Sequence, residues 1–121
     1  MAWTPPGRGE LRQRVRFEVR GPTTNVGGVV RTAWEIFCPD RRVRLLPVRG
    51  GEAVQGDRAA GVSLWNMDVP ADDLVRQVTT QMRAVDCRDE TRVWDIRSVL
   101  DLEGRNRWRT LTVEMGTADG H

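Results

Sequence analysis

Residues Leu11 to Arg20 constrain the chain most. Leu11, Val15, Phe17 and Val19 share one parity; Arg12, Arg14, Arg16, Glu18 and Arg20 share the other. Alternation of period two over such a run is the pattern of a strand with one buried and one wet face. Two readings of the Arg row stay open at this point. It is either a solvated strand face or a basic stripe turned toward DNA or an acidic neighbour.

Most of the remaining chain also reads as strand. Val29 to Cys38 places Val30, Thr32, Trp34 and Ile36 on one face, and Pro39-Asp40 is expected to break it. Arg41 to Leu46 makes a third short strand, with Val43 and Leu45 inward and Arg42 and Arg44 outward. Val62 to Val69 alternates Trp65, Met67 and Val69. Pro70 to Asp73 turns the chain, and Leu74 to Thr80 has room for a short helical turn. Met82 to Cys87 and Arg92 to Leu100 form a pair across the turn Arg88-Asp89-Glu90-Thr91, with Trp94 and Ile96 inward. Leu102 to Asn106 is a second hairpin loop. Trp108 to Met115 closes the sheet, with Leu111, Val113 and Met115 on one face. Gly21 to Gly28 reads as a turn-forming loop by composition.

One stretch interrupts this series. Leu45 to Arg58 opens with Pro47 and the Gly50-Gly51 pair, then turns weakly helical through Glu52-Ala53-Val54-Gln55. Gly51 and Gly56 each cost about 1 kcal/mol relative to Ala in a helix interior. Such a helix needs tertiary or intersubunit packing to persist. It is either a cap on a barrel or a contact surface.

Many short strands joined by turns predict a mainly β fold. The expected form is a small antiparallel β-barrel of about six to seven strands, with one short helix inserted near residues 50–60. Closure removes the exposed edges that invite aggregation. A chain of 121 residues fits one domain. The expected boundaries are a flexible Pro- and Gly-rich arm over residues 1–9, the barrel over 10–116 and a polar tail over 117–121.

Chemistry is sparse. The single His is His121, the last residue, which argues against Ser/His/Asp or Cys/His catalysis. No HExxH, P-loop or GxGxxG is present, and Gly50-Gly51 lacks the Lys and Ser/Thr of a phosphate cradle. The acidic pairs Asp72-Asp73 and Asp89-Glu90 sit in expected turns, where carboxylates are solvated. Tyr is absent. Cys38 and Cys87 stand alone, outside any CxxC, and read as free thiols. The expectation is a protein that is not an enzyme and carries no cofactor or metal. No apolar run is long enough for a membrane helix, and no signal peptide is visible, so no membrane partner is expected.

Every basic residue apart from His121 is Arg, which a GC-rich genome would produce. Arg also suits wet, bidentate interfaces. The formal net charge of +2 does not by itself establish nucleic-acid binding. Of the five Trp residues, Trp34, Trp65 and Trp94 lie on alternating strands and read as core. Trp108, between Arg107 and Arg109, is the best candidate for an exposed one. Base stacking by these rings, as in an OB-type single-stranded nucleic-acid-binding module, is the alternative.

The ordered set of motifs resembles the head–tail joining (head-closure, or head–tail adaptor) family of tailed bacteriophages and related particles, gene-transfer particles among them. The resemblance runs from about Gly9 to Met115. Gly9-Glu10-Leu11-Arg12-Gln13-Arg14-Val15 is similar to the family's opening, and Gly27-Gly28-Val29-Val30 leading to Trp34 is similar to its next element. Leu46-Pro47-Val48-Arg49-Gly50-Gly51-Glu52 is similar to the start of its central helix. Met82-Arg83, then Trp94-Asp95-Ile96-Arg97-Ser98-Val99 and Asn106-Arg107, resemble its ending. Trp94 in place of another aromatic, Cys38 in place of Ala, and a less basic Trp65 to Asp72 stretch depart from the pattern.

The resemblance implies a β-barrel that assembles as a ring, commonly of twelve subunits, under the portal and its adaptor. That ring closes the filled head and offers the tail its docking surface. Implied partners are further copies of the chain, the portal-associated adaptor, a tail terminator or tail tube protein, and packaged double-stranded DNA. The implied location is the virion, after synthesis in the host bacterial cytoplasm. Candidate ring or neighbour contacts are Asn25, Gly27, Gly28, Arg49, Gly50, Gly51, Glu52, Gln55 and Arg58, with Arg49 and Arg58 as candidate DNA-channel contacts. A tail-completion or neck protein of similar barrel fold is a second alternative.

Overall fold

In the computed structural model, residues 3–48 and 63–115 are described. Six strands form a closed antiparallel barrel. They are β1 (Gln13–Val26), β2 (Val29–Pro47), β3 (Ser63–Pro70), β4 (Arg83–Asp86), β5 (Val93–Leu100) and β6 (Trp108–Met115). Around the wall the order is β1-β2-β3-β6-β5-β4, and β4 pairs back onto β1. The expected mainly β barrel is what forms. The helix expected near residues 50–60 lies outside the described residues. Short 3-10 turns occur at Arg8–Glu10 and Val75–Gln77, the second inside the segment expected to hold a helical turn.

The core follows from the alternation. Val15 and Phe17 on β1, Met67 and Val69 on β3, Trp94 and Ile96 on β5, and Leu111 and Val113 on β6 all point inward and are buried. Cys38 and Val43 on β2 join them. Burying side chains of this size stabilises by about 1.5–3 kcal/mol each relative to exposure. The segment between β3 and β4 sends Val75, Val78 and Met82 into the same core and so closes one end of the barrel. Asp72 shapes that segment by accepting from the backbone N–H groups of Leu74 and Val75 at 3.0 and 2.9 Å.

Three expectations need correction, and backbone register is the reason for each. First, β2 does not break at Pro39-Asp40. Val15 pairs with Arg41 but Phe17 pairs with Cys38, so β2 carries an extra residue there. Such a bulge accommodates the proline and bends the strand. Asp40 takes a φ of 29° within it. Second, Phe17 pairs with Cys38 but Glu18 pairs with Ile36, a second extra residue on β2 at Phe37. The slip reverses parity, so Phe37 packs against the core while Trp34 and Ile36 face outward. Trp34 is therefore not a core residue, whereas Trp94 is, and Trp65 packs against the core.

Third, Gly21 to Gly28 is mostly strand. β1 and β2 pair from Thr23 with Thr32 out to Val26 with Val29, leaving only Gly27-Gly28 as the turn. Both glycines have positive φ, 61° and 83°. Positive φ at both central residues is the signature of the tight hairpin turn that suits the natural strand twist. Pro22 is tolerated because the register slips again between Arg20 and Thr23.

The first described residues run against the barrel wall. Trp3 Nε1 donates to Asp68 Oδ1 at 3.0 Å, and the Trp3 ring meets Trp108 edge-on at 6.2 Å. Arg44 donates to the Thr4 carbonyl at 2.9 Å and lies 3.5 Å from the Glu10 carboxylate. Alternating strand direction also sorts the connections. The β1–β2, β3–β4 and β5–β6 connections share one end of the barrel. The N-terminal segment, the β4–β5 turn and the two anchors of segment 49–62 share the other.

Candidate assembly interface

β1 and β2 outrun the barrel. β1 pairs with β4 only over Val15 to Glu18, and β2 pairs with β3 only over Arg44 to Pro47. Beyond Arg20 and Trp34 the two strands pair only with each other among the described residues. The result is a two-stranded ribbon with Gly27-Gly28 at its tip. Each strand rises about 3.3 Å per residue, so the stretch from Arg20 to Val26 is roughly 20 Å long. A lone two-stranded ribbon is marginally stable in water. It gains from a partner that covers it.

Among the sequence candidates, Asn25, Gly27 and Gly28 gather at this ribbon tip. Arg49, Gly50, Gly51, Glu52, Gln55 and Arg58 lie outside the described residues. Their anchors, Val48 and Ser63, sit at the opposite end of the barrel, where Val48 N–H donates to the Leu64 carbonyl at 3.1 Å. The ribbon tip and these anchors thus stand at opposite ends of the barrel.

The Arg row on β1 is laced with acids. Arg14 pairs with Asp40. Arg16 lies 2.7 Å from both Glu18 and Glu90. Arg12 donates to the Gly9 carbonyl at 2.8 Å. Glu18, nearly buried, is also held by Arg83 at 2.7 Å from the neighbouring strand β4. Burial alone would raise the Glu18 carboxyl, but hydrogen bonds from Arg16 and Arg83 outweigh it and hold the group below its ordinary value. The Asp40 carboxyl is likewise held low by its hydrogen bond from Arg14. Across β5 and β6, Arg97 bonds Glu114 at 2.6 Å and lies 3.8 Å from Asp95. Most of this wall is neutralised within the chain, which favours the solvated-face reading of the row over a DNA-facing stripe.

Two constellations escape a reading of the sequence alone. One is on the outer wall, where the guanidinium groups of Arg83 and Arg20 lie over the Trp34 ring, 4.2 and 5.4 Å from its centroid. The other surrounds Asp68, which is buried with Met67 and Val69 on either side yet faces outward. Arg44 Nε donates to it at 2.9 Å and Thr110 Oγ1 at 2.5 Å, besides Trp3. Both depend on strand neighbours that no local pattern reveals. An acid between the apolar residues Met67 and Val69 is the one visible signal.

Among the described residues, reactive groups do not gather. Cys38 is buried and Cys87 half-buried, and burial pushes both thiols up from their ordinary value. A raised thiol holds less of the nucleophilic thiolate. Among the described residues no group of His, Cys, Asp and Glu side chains is arranged to hold a metal ion, and no helix is long and apolar enough to cross a membrane. Trp108 is half-buried against Trp3 rather than free for base stacking.

Comparison with known proteins adds to this geometry. The family model described as phage head completion protein matches residues 7–116. Comparison with curated proteins gives no significant match. Among solved structures, a chain from the virion of a native gene transfer agent particle superposes with a TM-score of 0.62 at 15% identity. The match covers 88% of this chain and 96% of that one. At that identity the likeness is one of fold.

Proposed function

The chain belongs to the phage head completion protein family, and from that premise we propose that it forms a ring under the portal and its adaptor, closes the DNA-filled head and gives the tail its docking surface. Its coarser role follows from membership alone. It is a structural component of the virion that serves head completion.

The observation that carries the finer reading is the two-ended barrel. A head-closing ring has to meet one neighbour above and another below. Here a ribbon leaves one end, while the anchors of segment 49–62 stand at the other. Asn25, Gly27 and Gly28 would meet one neighbour in the stack, and residues from Arg49 to Arg58 another. The partners in this reading are further copies of the chain, in a ring of about twelve as commonly implied by the resemblance, the adaptor, and a tail terminator or tail tube protein.

Templated assembly accounts for specificity. A wall whose charges are satisfied internally gains little from a single contact, so copies remain apart in solution. A ring of adaptor subunits offers many contacts at once, and linked contacts raise effective affinity steeply. Double-stranded DNA passes the same axis in this reading. Arg49 and Arg58 would touch its phosphates without reading sequence.

Electron microscopy of particles made without this protein tests the proposal. Full heads that lack tails or leak DNA are expected. Tailed, intact heads would overturn it. Salt-sensitive binding of single-stranded DNA by the isolated chain, with quenching of Trp fluorescence, would instead favour the OB-type alternative.

A further inference from the structure

We propose that the cleft at the foot of the ribbon is a docking seat for a protein segment that presents a carboxylate beside an apolar side chain. The inference rests on the assembly reading above for where such a segment comes from, but not for the binding itself.

The seat is built on Trp34. Its ring is half-buried on the outer wall and backed by Arg83 at 4.2 Å. Arg83 is fixed in turn by Glu18, which accepts from its Nε at 2.9 Å and from its terminal nitrogen at 2.7 Å. The ring is therefore held before any partner arrives. Two residues along the same face of β2, Ile36 is 59% exposed. An anchored Trp with Arg neighbours and an exposed aliphatic side chain is the composition of interface hot spots.

Charge specifies the occupant. Along the outward row of β1, Arg14 and Arg16 have acidic partners. Arg20 has only the Trp34 ring, 5.4 Å away, among the described residues. It lines a cleft of about 190 Å³ together with Trp34, Thr80, Gln81, Asp95 and Arg97. Arg97 is already engaged by Glu114 at 2.6 Å. The donors left to serve the cleft are the Arg20 guanidinium, the Thr80 hydroxyl and the Gln81 amide. Together they suit one carboxylate, which a guanidinium can take in a bidentate pair. Asp95 in the lining, with Glu18 beside Arg83 on the same outer face, opposes the continuous charge of a DNA backbone. A single acidic side chain avoids those groups while its apolar neighbour covers Ile36.

Amide-resolved NMR of the isolated protein tests the seat. The probes are a short peptide alternating leucine and glutamate, its glutamine counterpart, and a duplex oligonucleotide. The glutamate peptide is expected to shift the Trp34 indole N–H, the Gln81 side-chain amide and the Arg20 Nε–H, with roughly millimolar affinity for a single seat. The glutamine peptide and the variant Arg20→Gln are each expected to bind roughly tenfold more weakly, the loss of one charge-assisted pair. Arg20→Lys keeps the charge and should retain part of the binding. Its unchanged amide spectrum away from the cleft would show that the barrel is intact. Three results would overturn the proposal: no shifts at these groups, equal shifts with the glutamine peptide, or the same shifts at least as strong with the duplex. Peptide binding in a protein whose absence leaves tailed, intact particles would overturn the head-completion reading and leave the seat standing.

Discussion

The indole N–H of Trp3 donates to Oδ1 of Asp68 at 3.0 Å, across 65 residues of sequence. Asp68 is 1% exposed and pairs in register with Arg44 on β2 and Thr110 on β6, both of which donate to it. One buried carboxylate thus joins three strands and the N-terminal segment. Removing one partner of a buried ion pair costs about 3–5 kcal/mol, because the remaining charge is stranded. Asp68→Ala should therefore destabilise strongly, leaving Arg44 without that partner. Trp3→Ala removes one hydrogen bond and an edge-on ring contact, and should cost about 1–3 kcal/mol. Thermal unfolding checks both. A loss for Trp3→Ala as large as that for Asp68→Ala would contradict this ranking.

Glu18 makes stability depend on acid. Burial opposes its charged form, but hydrogen bonds from Arg16 and Arg83 prevail and keep its carboxyl below the ordinary 4.5. The folded chain therefore favours the charged form more than the unfolded chain does. That contribution is complete above the ordinary carboxylate range and is lost as pH falls through the lower folded value. Asp72 has the same sign: burial raises it, but hydrogen bonds from the Val75 N–H and from Arg41 bring it lower. Urea midpoints should fall on going from neutral pH to about pH 3. Glu18→Gln should cost about 1.5–3 kcal/mol at neutral pH, and its deficit should shrink on acidification. A deficit constant with pH would show that the charge of Glu18 is not what matters.

The barrel is legible in the sequence because its inward residues alternate. Val15 and Phe17, Met67 and Val69, Trp94 and Ile96, and Leu111 and Val113 each lie two apart, and each pair is buried. Trp34 and Ile36 alternate just as cleanly but face outward. Parity fixes which residues share a face, not which face is inside. The extra residue at Phe37 turns that face outward relative to Cys38, and it is defined only against the partner strand β1. The same holds for Asp68, whose neighbours Arg44 and Thr110 come from strands distant in sequence. The ribbon reads as a loop in sequence because Gly21, Pro22, Gly27 and Gly28 outweigh the strand-forming residues between them. Of the candidate contacts, only Asn25, Gly27 and Gly28 fall within the described residues.

Gly21 sits at the foot of the ribbon where the register slips. A Cβ there would lie 3.0 Å from Glu35 Cδ and Oε1 and 3.1 Å from the Ala33 carbonyl oxygen. The Glu35 side chain can swing away, but the carbonyl belongs to the paired strand. Gly21→Ala should cost about 1 kcal/mol through local strain, the order expected for a modest backbone shift. Adding Glu35→Ala should recover only part of that loss. Chemical denaturation of the single and double variants measures both. Full recovery would place the clash on the side chain rather than on the backbone.

The hairpin tip separates stability from assembly. Gly27 and Gly28 have φ of 61° and 83°, and a Cβ at either would meet nothing within 4 Å. Replacing either glycine with a β-branched residue therefore acts through backbone conformation rather than through a clash. A left-handed conformation at a residue other than Gly costs about 1–2 kcal/mol. That cost falls on a ribbon that pairs with no third strand among the described residues, not on the closed wall. Gly28→Val should consequently loosen the ribbon, seen as faster amide exchange from Thr23 to Thr32, while the melting temperature changes little. In the head-completion reading the same variant should be folded yet incorporate poorly into particles, with tailless or leaking heads. Normal particle yield with a loosened ribbon would remove the ribbon from the interface. A large drop in melting temperature would show instead that the ribbon and barrel unfold as one unit.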